Sequence, residues 1–430
     1  MNNSILYVKK LFLLLLILFA GSAGHAQRLS IDSCYDWARQ HFPVIKKYAL
    51  LEKSNQYSIE NAAKGYLPQL SISGQATYQS QTVDISKAMG GALPPGIAIP
   101  QISRDQYKMQ AELTQSIYDG GVIHNHRQQL EAANKLQEQQ VEVSLYAVKE
   151  RVNQLFFAIL LMDEQYRQNT LRRSDLQNAA DKTEAALANG AAFKSSLNEL
   201  KAELVNVDMI HTELRSNRAS YVQMLGLLTG RSLDNEVELE IPAAVPEHSD
   251  IAERPELKIY EYQKRLYDVE EKGLKAAYMP RLNAFAQGAY GRPTLNFVDN
   301  TFGAWYMGGV RLQWNFGSLY GLKNNKRLLS VNREMTDVER ETFLFNTGIN
   351  INQQRAAIEK YRSLIRQDHT LIELRNAVKV SAQAQLDNGV ITTRDFITQV
   401  NAESLARQNL ALHSIQLLQA QYNLNYISGN

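Results

Sequence analysis

Apolar positions spaced alternately four and three residues apart run through the long segment from Gly121 to about Leu187. This segment has no proline, and no glycine after its first residue, so it is predicted to be one continuous helix. A helix of that length rises roughly 100 Å at about 1.5 Å per residue, and it needs other helices packed along it. The apolar seam predicted to face them consists of Val141, Leu145, Val148, Val152, Leu155, Ile159, Met162 and Tyr166.

Similar periodicity predicts further helices on both sides of this segment. The first is expected to be capped by Asp32 or Ser33, and its continuous part to begin near Pro43, because proline suits the first helical turn. The helices predicted in this way cover residues 31–65, 195–228, 322–386 and 394–426.

Four segments have a period of two, which is typical of strands with two unlike faces. In the first, apolar or small residues at even positions from Leu70 to Tyr78 alternate with serine, glutamine and threonine. Each segment is about as long as the 9–11 residues that a tilted strand needs to cross a bilayer. The strands predicted in this way cover residues 70–78, 107–117, 282–290 and 306–316.

The order helix, strand, strand, long helix, Asn-Gly and return helix occurs twice along the chain. The Tyr-Leu-Pro sequence at 66–68 recurs as Tyr-Met-Pro at 278–280, before the strands of the second half. We interpret this order as a tandem duplication. The predicted divisions are a signal peptide (1–26), a first repeat (27–230), a linker or equatorial segment (231–254) with one short strand at 237–241, and a second repeat (255–430).

The N-terminus is typical of a secretory signal. Two lysines precede an apolar run, Leu11 to Ala20, and the small residues of Gly-His-Ala at 24–26 suit a cleavage site. The run is short for a bilayer-spanning helix, and the rival interpretation is a retained anchor. Cys34 is the single cysteine and does not directly follow the apolar run, which argues against a lipoprotein.

Composition excludes several classes of function. Beyond residue 26 the chain has 44 basic and 44 acidic residues, which argues against nucleic-acid binding. It contains no phosphate loop, no G-x-S-x-G and no H-E-x-x-H motif, so we expect neither an enzyme nor a bound cofactor. His124 and His126 are spaced i, i+2 and cannot share a helix face, so no metal site is expected either.

Membrane strands must close into a barrel, and four strands are too few to do so. Two chains would provide eight strands and three would provide twelve, and the larger barrel leaves a conducting lumen. Aromatic residues support a membrane location, because they fall near both ends of the strands, as in outer-membrane barrels. Tyr78, Tyr107, Tyr290, Trp305 and Tyr306 lie at the loop end, and Tyr118, Trp314 and Phe316 lie at the helix end.

Taken together, the signal peptide, the duplicated pattern, the Asn-Gly tips and the Leu-x-x-x-(Ser/Thr)-Gly endings at 225–230 and 424–429 resemble the TolC-like family of outer-membrane efflux proteins. The resemblance implies an α+β membrane protein and a homotrimer. Its twelve-stranded barrel in the outer membrane of a Gram-negative bacterium would continue into a helical tunnel in the periplasm. It also implies that the tip turns at Asn189-Gly190 and Asn388-Gly389 dock a periplasmic adaptor joined to an inner-membrane pump.

The family's closed tip carries rings of aspartates, and the resemblance places the first of these at Asp395. The second position is Thr398, which departs from the family pattern, and the first repeat has Ser196 and Glu199 there. These four residues are therefore the candidates for a channel constriction. Another interpretation of Asp395 is a first-turn carboxylate favoured by the helix N-terminus.

The function predicted from the sequence is that of an outer-membrane exit duct for small molecules in a tripartite efflux system. An alternative is the outer-membrane channel of a type I protein secretion system. A periplasmic adaptor and a passive porin-like channel are the rivals from other classes. The cargo is not encoded in the pattern, because the pump selects it in this mechanism.

Overall fold

The computed structural model describes residues 28–83, 102–246, 253–296 and 299–429. Within these residues, helices and pairs of strands follow one another in the same order in both halves of the chain. The predicted signal peptide, residues 1–26, and most of the loop at 79–103 lie outside the described residues.

The predicted strands and helices are present, with shifted ends. The first half of the chain contains helices α1 (Ile31–His41) and α2 (Lys47–Ala63), strands β1 (Gln69–Tyr78) and β2 (Asp105–Tyr118), and helices α3 (Val122–Tyr146), α4 (Val148–Ala188) and α5 (Lys194–Thr229). The second half contains α6 (Pro255–Ala277), β3 (Arg281–Arg292), β4 (Gly303–Gln313), α7 (Leu319–Asp387) and α8 (Thr393–Ser428).

The helix predicted over residues 31–65 is interrupted at Phe42, where ψ is 125°, and its continuous part begins at Lys47 rather than near Pro43. Phe42 leaves the helix because the following proline disfavours helical angles at the residue before it. Pro43 then begins a short 3-10 turn before α2. The expected cap was also misplaced. Ser30 caps α1, and its Oγ accepts a hydrogen bond from the backbone N–H of Ser33 at 3.3 Å.

The helix predicted over 121–187 is divided into α3 and α4 by a single residue, Ala147. Ala147 keeps near-helical angles (φ −61°, ψ −17°), and its N–H donates to the carbonyl of Val143 at 3.1 Å. Neither proline nor glycine marks this irregularity. The predicted seam is confirmed, since Val152 and Ile159 are fully buried and Val141, Leu145 and Val148 are nearly so.

The strand predicted over 306–316 ends early, at Gln313. Its partner β3 begins at Arg281, which pairs with Gln313, and Pro280 before it has no N–H to extend the ladder. Phe316 lies in a 3-10 turn that leads into α7. In the linker, the strand predicted at 237–241 is reduced to one parallel bridge between Leu29 and Leu239.

The chain divides into two units. The sheet unit comprises Tyr48–Gln140 and Glu256–Glu341, and the helical unit comprises Val141–Pro255, Thr342–Asn430 and the chain up to Lys47. In the helical unit one apolar cluster surrounds Phe156 and Phe157, and another joins α4, α5, α7 and α8 around Leu200 and Phe396. In the sheet unit, Ala289 and Gly291 are the buried residues of the described strands.

Among the described helices, none has an apolar stretch long enough to span a bilayer.

Candidate functional site: the sheet and the helical tips

The four strands form one antiparallel sheet in the order β1-β2-β3-β4. Consecutive strands pair along most of their length. The pairing of β1 with β2 begins at Gln69 opposite Thr114, and that of β3 with β4 ends at Gly291 opposite Gly303. β1 and β4 are therefore the two edges, and each has one row of backbone donors and acceptors without a strand partner within the sheet.

The register places most of the apolar positions of the four strands on one face. Ile72 lies opposite Ala111, Ala111 opposite Gly288, and Gly288 opposite Tyr306. This apolar face is exposed: Ile72 keeps 67% of its surface accessible, Leu312 68% and Val310 63%. In a protein surrounded by water such a face would be packed against a core, so the arrangement is typical of a surface made to contact lipid or another apolar partner.

The opposite face of the sheet is polar and partly organised by Glu112. This carboxylate accepts hydrogen bonds from Gln287 Nε2 at 3.0 Å and from Gln110 Nε2 at 3.3 Å. The guanidinium of Arg311 pairs with it at 3.3 Å and also lies over the ring of Phe285, 4.6 Å from its centroid. The sequence predicted a polar face, but not that one carboxylate joins three strands.

The aromatic residues lie near the two ends of the strands, as the register requires. Ala76 pairs with Tyr107, Met109 with Tyr290, and Gly288 with Tyr306, so the tyrosines of the loop end share the apolar face with Tyr78. Trp305 is different, because it pairs with Ala289 on the polar face. Lys108 Nζ lies 5.2 Å from its ring centroid.

At the helix end, a β-bulge in β2 decides the position of Tyr118. Ser116 pairs with Asn283, but Tyr118 pairs with Leu282, so one extra residue is inserted. The bulge turns Tyr118 to the apolar face, where strict alternation would have placed it on the other side. Trp314 follows β4 and donates its indole N–H to the carbonyl of Tyr278 at 3.1 Å, and its ring lies 4.6 Å from that of Phe316.

The two Asn-Gly tips have the same geometry. Gly190 and Gly389 have φ of +75° and +70°, the left-handed conformation that glycine adopts without strain. Asn189 donates from Nδ2 to the carbonyl of Ala185 at 3.1 Å, and Asn388 donates to that of Ala384 at 2.7 Å. Each tip thus closes its helix with the same asparagine side-chain bond and the same glycine N–H bond, to Leu187 in one tip and to Leu386 in the other.

The constriction candidates lie just beyond these tips. Asp395 forms a capping box with Thr392: its Oδ2 accepts from the Thr392 N–H at 3.1 Å, and the Thr392 hydroxyl accepts from the Asp395 N–H at 3.2 Å. These hydrogen bonds hold the pKa of the Asp395 carboxyl below its usual value. Asp395 and Thr398 are both exposed.

In the first half of the chain, Ser196 and Glu199 are half-buried. The carboxylate of Glu199 lies 3.7 Å from the guanidinium of Arg394. Arg394 is in α8, next to Asp395. Helices α5 and α8 are therefore joined at this end of the helical unit by the pair of Glu199 and Arg394. An exposed pair of this kind contributes little to stability.

Arg254 makes several contacts that the sequence did not predict. It is 8% exposed, and its guanidinium lies between 5.2 and 5.4 Å from the ring centroids of Tyr146, Phe343 and Tyr426. Its Nη1 donates to the carbonyls of Tyr426 and Ile427 at 3.1 and 3.3 Å, in the last turn of α8. A basic residue just before Pro255 carries no signal of this role.

Cys34 lies in α1 and is fully buried beside the cluster of Phe156. Burial raises the pKa of its thiol to about 12, and the thiolate is the reactive form. We therefore expect no reaction of the folded protein with maleimide at pH 8 and complete reaction in denaturant, measured by intact mass. Rapid labelling of the folded protein, or a lipid mass on Cys34, would contradict this placement.

His124 and His126 lie in α3, where their spacing separates them around the helix. No group of three or more histidine, cysteine, aspartate or glutamate side chains could hold a metal ion in the part of the chain that the structure describes.

Residues 34–231 match the family model described as outer membrane efflux protein. No curated protein matches the chain. Over residues 34–231 the resemblance to the TolC-like proteins is confirmed, and the matched family is one of efflux proteins rather than enzymes.

Solved structures with a similar fold are outer-membrane proteins. CusC is 12% identical and superimposes with a TM-score of 0.67, covering 93% of this chain and 91% of its own. The Campylobacter jejuni CmeC outer membrane channel is 13% identical, with a TM-score of 0.62 and coverage of 93% and 85%. VceC from Vibrio cholerae is 12% identical, with a TM-score of 0.64 and coverage of 93% and 96%. At these identities the likeness shows the fold alone.

Proposed function

We propose that this protein is the exit duct of a tripartite efflux system in the outer membrane of a Gram-negative bacterium. Small molecules delivered by an inner-membrane pump and a periplasmic adaptor would cross the outer membrane through it. One observation carries the proposal: a sheet whose apolar face is exposed while its polar face is organised around Glu112. The apolar face would contact lipid, and the polar face would line a water-filled lumen.

The open edges of the sheet support assembly from several copies. An unpaired strand edge is not tolerated in lipid, so β1 of one copy would pair with β4 of the next. Two copies would close an eight-stranded barrel filled by side chains, whereas three would close a twelve-stranded barrel with room for a lumen. The proposed assembly is therefore a homotrimer.

Exposed apolar residues on α7 give independent support for neighbouring copies. In the sheet unit this helix exposes Leu328, Val331, Met335 and Val338, which follow the three-and-four spacing of a helix–helix seam. In the helical unit the same helix exposes Phe345 at 68% of its surface. A seam of this kind is normally covered, and a second copy of the chain would cover it.

The trimer is tested by native mass spectrometry of the protein extracted in mild detergent. The expected species is three chains, retained at increasing collision energy until the chains separate. A stable monomer or dimer as the main species would overturn the shared barrel.

The division of the chain, the aromatic girdles and the adaptor site belong to the same proposal. The chain would be organised as signal peptide 1–26, first repeat 27–230, linker 231–254 and second repeat 255–430, with the helical part in the periplasm. Aromatic girdles would lie at both membrane interfaces, with Trp305 on the lumen side because it shares the polar face. The adaptor would dock at the two Asn-Gly tips, beside which Phe193 and Val390 expose 79% and 71% of their surface.

Crosslinking in cells tests the tripartite assembly. A photoreactive amino acid placed at Ala191 or Ile391, next to the two tip turns, should capture a periplasmic adaptor that mass spectrometry identifies. The adaptor of a proton-driven pump would support small-molecule efflux, and that of an ATP-driven exporter would support type I protein secretion. Capture of no adaptor from either position would favour a passive channel.

Asp395→Ala is expected to increase leak conductance in planar bilayers if Asp395 forms part of the constriction. Asp395→Asn is the matched variant, because it keeps an oxygen that can accept from Thr392 and removes only the charge. A similar increase in both variants assigns the effect to charge, and an increase in alanine alone assigns it to the helix cap. Unchanged conductance in both would remove Asp395 from the gate.

The pH dependence of the leak follows from the lowered pKa of Asp395. A carboxyl with a lowered pKa stays ionised down to that value, so its effect is present at neutral pH and is lost only as the pH falls through it. We expect constant leak from neutral pH down to about 5, and an increase below the usual aspartate value of about 3.9.

A further inference from the structure

The polar face of the sheet carries an excess of positive charge. By register and alternation, its ionisable residues are Lys108, Arg281, Arg311 and Glu112. Three cations therefore share this face with one carboxylate. The remaining charged residues of the described strands, Asp105 and Arg292, pair with each other on the other face.

Glu112 neutralises Arg311 rather than Lys108. Its two oxygens are engaged by Arg311 at 3.3 Å and by the amides of Gln287 and Gln110. This carboxylate therefore already has charge-assisted partners on both sides, and the middle of the polar face around it is close to electrically neutral.

Lys108 lies nearer the loop end, opposite Gln75 on β1 and Gly291 on β3. It is exposed, and its ammonium lies over the ring of Trp305, 5.2 Å from the centroid. Within the described part of the chain it forms no ion pair with a carboxylate. An aromatic ring orients an ammonium group but does not cancel its charge at a distance. Its field therefore extends into the space in front of the polar face.

We propose that Lys108 makes the outer part of the conduit selective for organic anions, with Trp305 beneath it offering an apolar surface to the body of such a solute. This inference rests on the proposed function, in which the polar face lines a water-filled lumen. Three copies in a trimer would present three ammonium groups at one height. Carboxylates and other anions would then be concentrated there, and cations would be depleted.

The test measures the local potential at single cysteines on β1. Gln75→Cys places a thiol opposite Lys108, and Ser71→Cys places one on the same face and strand opposite Glu112. The probes are an anionic (sulfonatoethyl) and a cationic (trimethylammonioethyl) methanethiosulfonate, applied to protein in outer-membrane vesicles. Rates are normalised to those of free mercaptoethanol. The buried Cys34 provides the blank.

We expect the anionic-to-cationic rate ratio to be about threefold or more higher at Gln75→Cys than at Ser71→Cys, and to fall as salt is added. Any shift in the ionisation of the thiol affects both reagents equally and cancels in the ratio. Adding Lys108→Gln should bring the two positions to the same ratio, whereas Lys108→Arg should preserve the difference. A heat-resistant oligomer on gels confirms that each variant is assembled.

Other outcomes separate failure of the role of Lys108 from failure of the proposed function. Equal ratios at the two positions, or a difference that survives Lys108→Gln, would overturn the role of Lys108 and leave the channel intact. Failure of both cysteines to react in assembled protein would mean that the polar face is not in contact with water. That result would overturn the proposed function itself.

Discussion

Replacing Val310 by lysine is expected to keep most of the protein out of the outer membrane. Val310 lies on the apolar face of the edge strand β4, pairs with Ala284 and exposes 63% of its surface. A lysine facing lipid near the middle of a transmembrane strand costs about 2–4 kcal/mol. At about 1.4 kcal/mol per tenfold change, the equilibrium constant for insertion should fall about 30-fold or more for each chain. A trimer would carry three such charges.

The matched control is Met307→Lys, three residues earlier on the same strand. Met307 pairs with Gln287 on the polar face, where a lysine would meet water in the proposed lumen. Separation of outer membranes, followed by a gel that distinguishes folded from unfolded protein, measures insertion of both variants. Loss of insertion in both would indicate general damage to β4. Normal insertion of Val310→Lys would show that the apolar face does not contact lipid.

Replacing Arg254 by methionine is expected to cause a large loss of stability in the helical unit. The change removes two hydrogen bonds to the carbonyls of Tyr426 and Ile427, each worth about 1.5–3 kcal/mol for a charged donor. It also removes the contacts of the guanidinium with three aromatic rings. Methionine retains much of the volume, so the net loss is expected to be about 3 kcal/mol.

Limited proteolysis with chymotrypsin measures this effect, because loosening of α8 should expose Tyr422 and Tyr426 to cleavage. The control is Arg231→Met, the same substitution at an exposed arginine that lies over one ring, Trp37, at 4.8 Å. We expect a change of less than about 1 kcal/mol there. Arg254→Lys should remain unstable, since an ammonium group cannot reproduce the planar fork of the guanidinium. Equal protease resistance of Arg254→Met and Arg231→Met would contradict the role of Arg254.

Much of the fold follows from local patterns. The two-residue period predicted all four strands and the face of nearly every residue, because a strand alternates its side chains whatever it packs against. The three-and-four spacing predicted the buried seam of α3 and α4, including Val152 and Ile159. The Asn-Gly pairs predicted both helix ends, since a glycine with positive φ is needed there.

The order of helices and strands, the two unlike faces of the sheet and the two tip turns are therefore specified by residues close together in the chain. Which cation of the polar face is neutralised depends instead on the packed fold, because Glu112 and Arg311 lie on strands far apart in sequence. The packed fold also decides the bulge that turns Tyr118 and the burial of Arg254 among three rings. These features depend on strand register and helix packing, which no local pattern specifies.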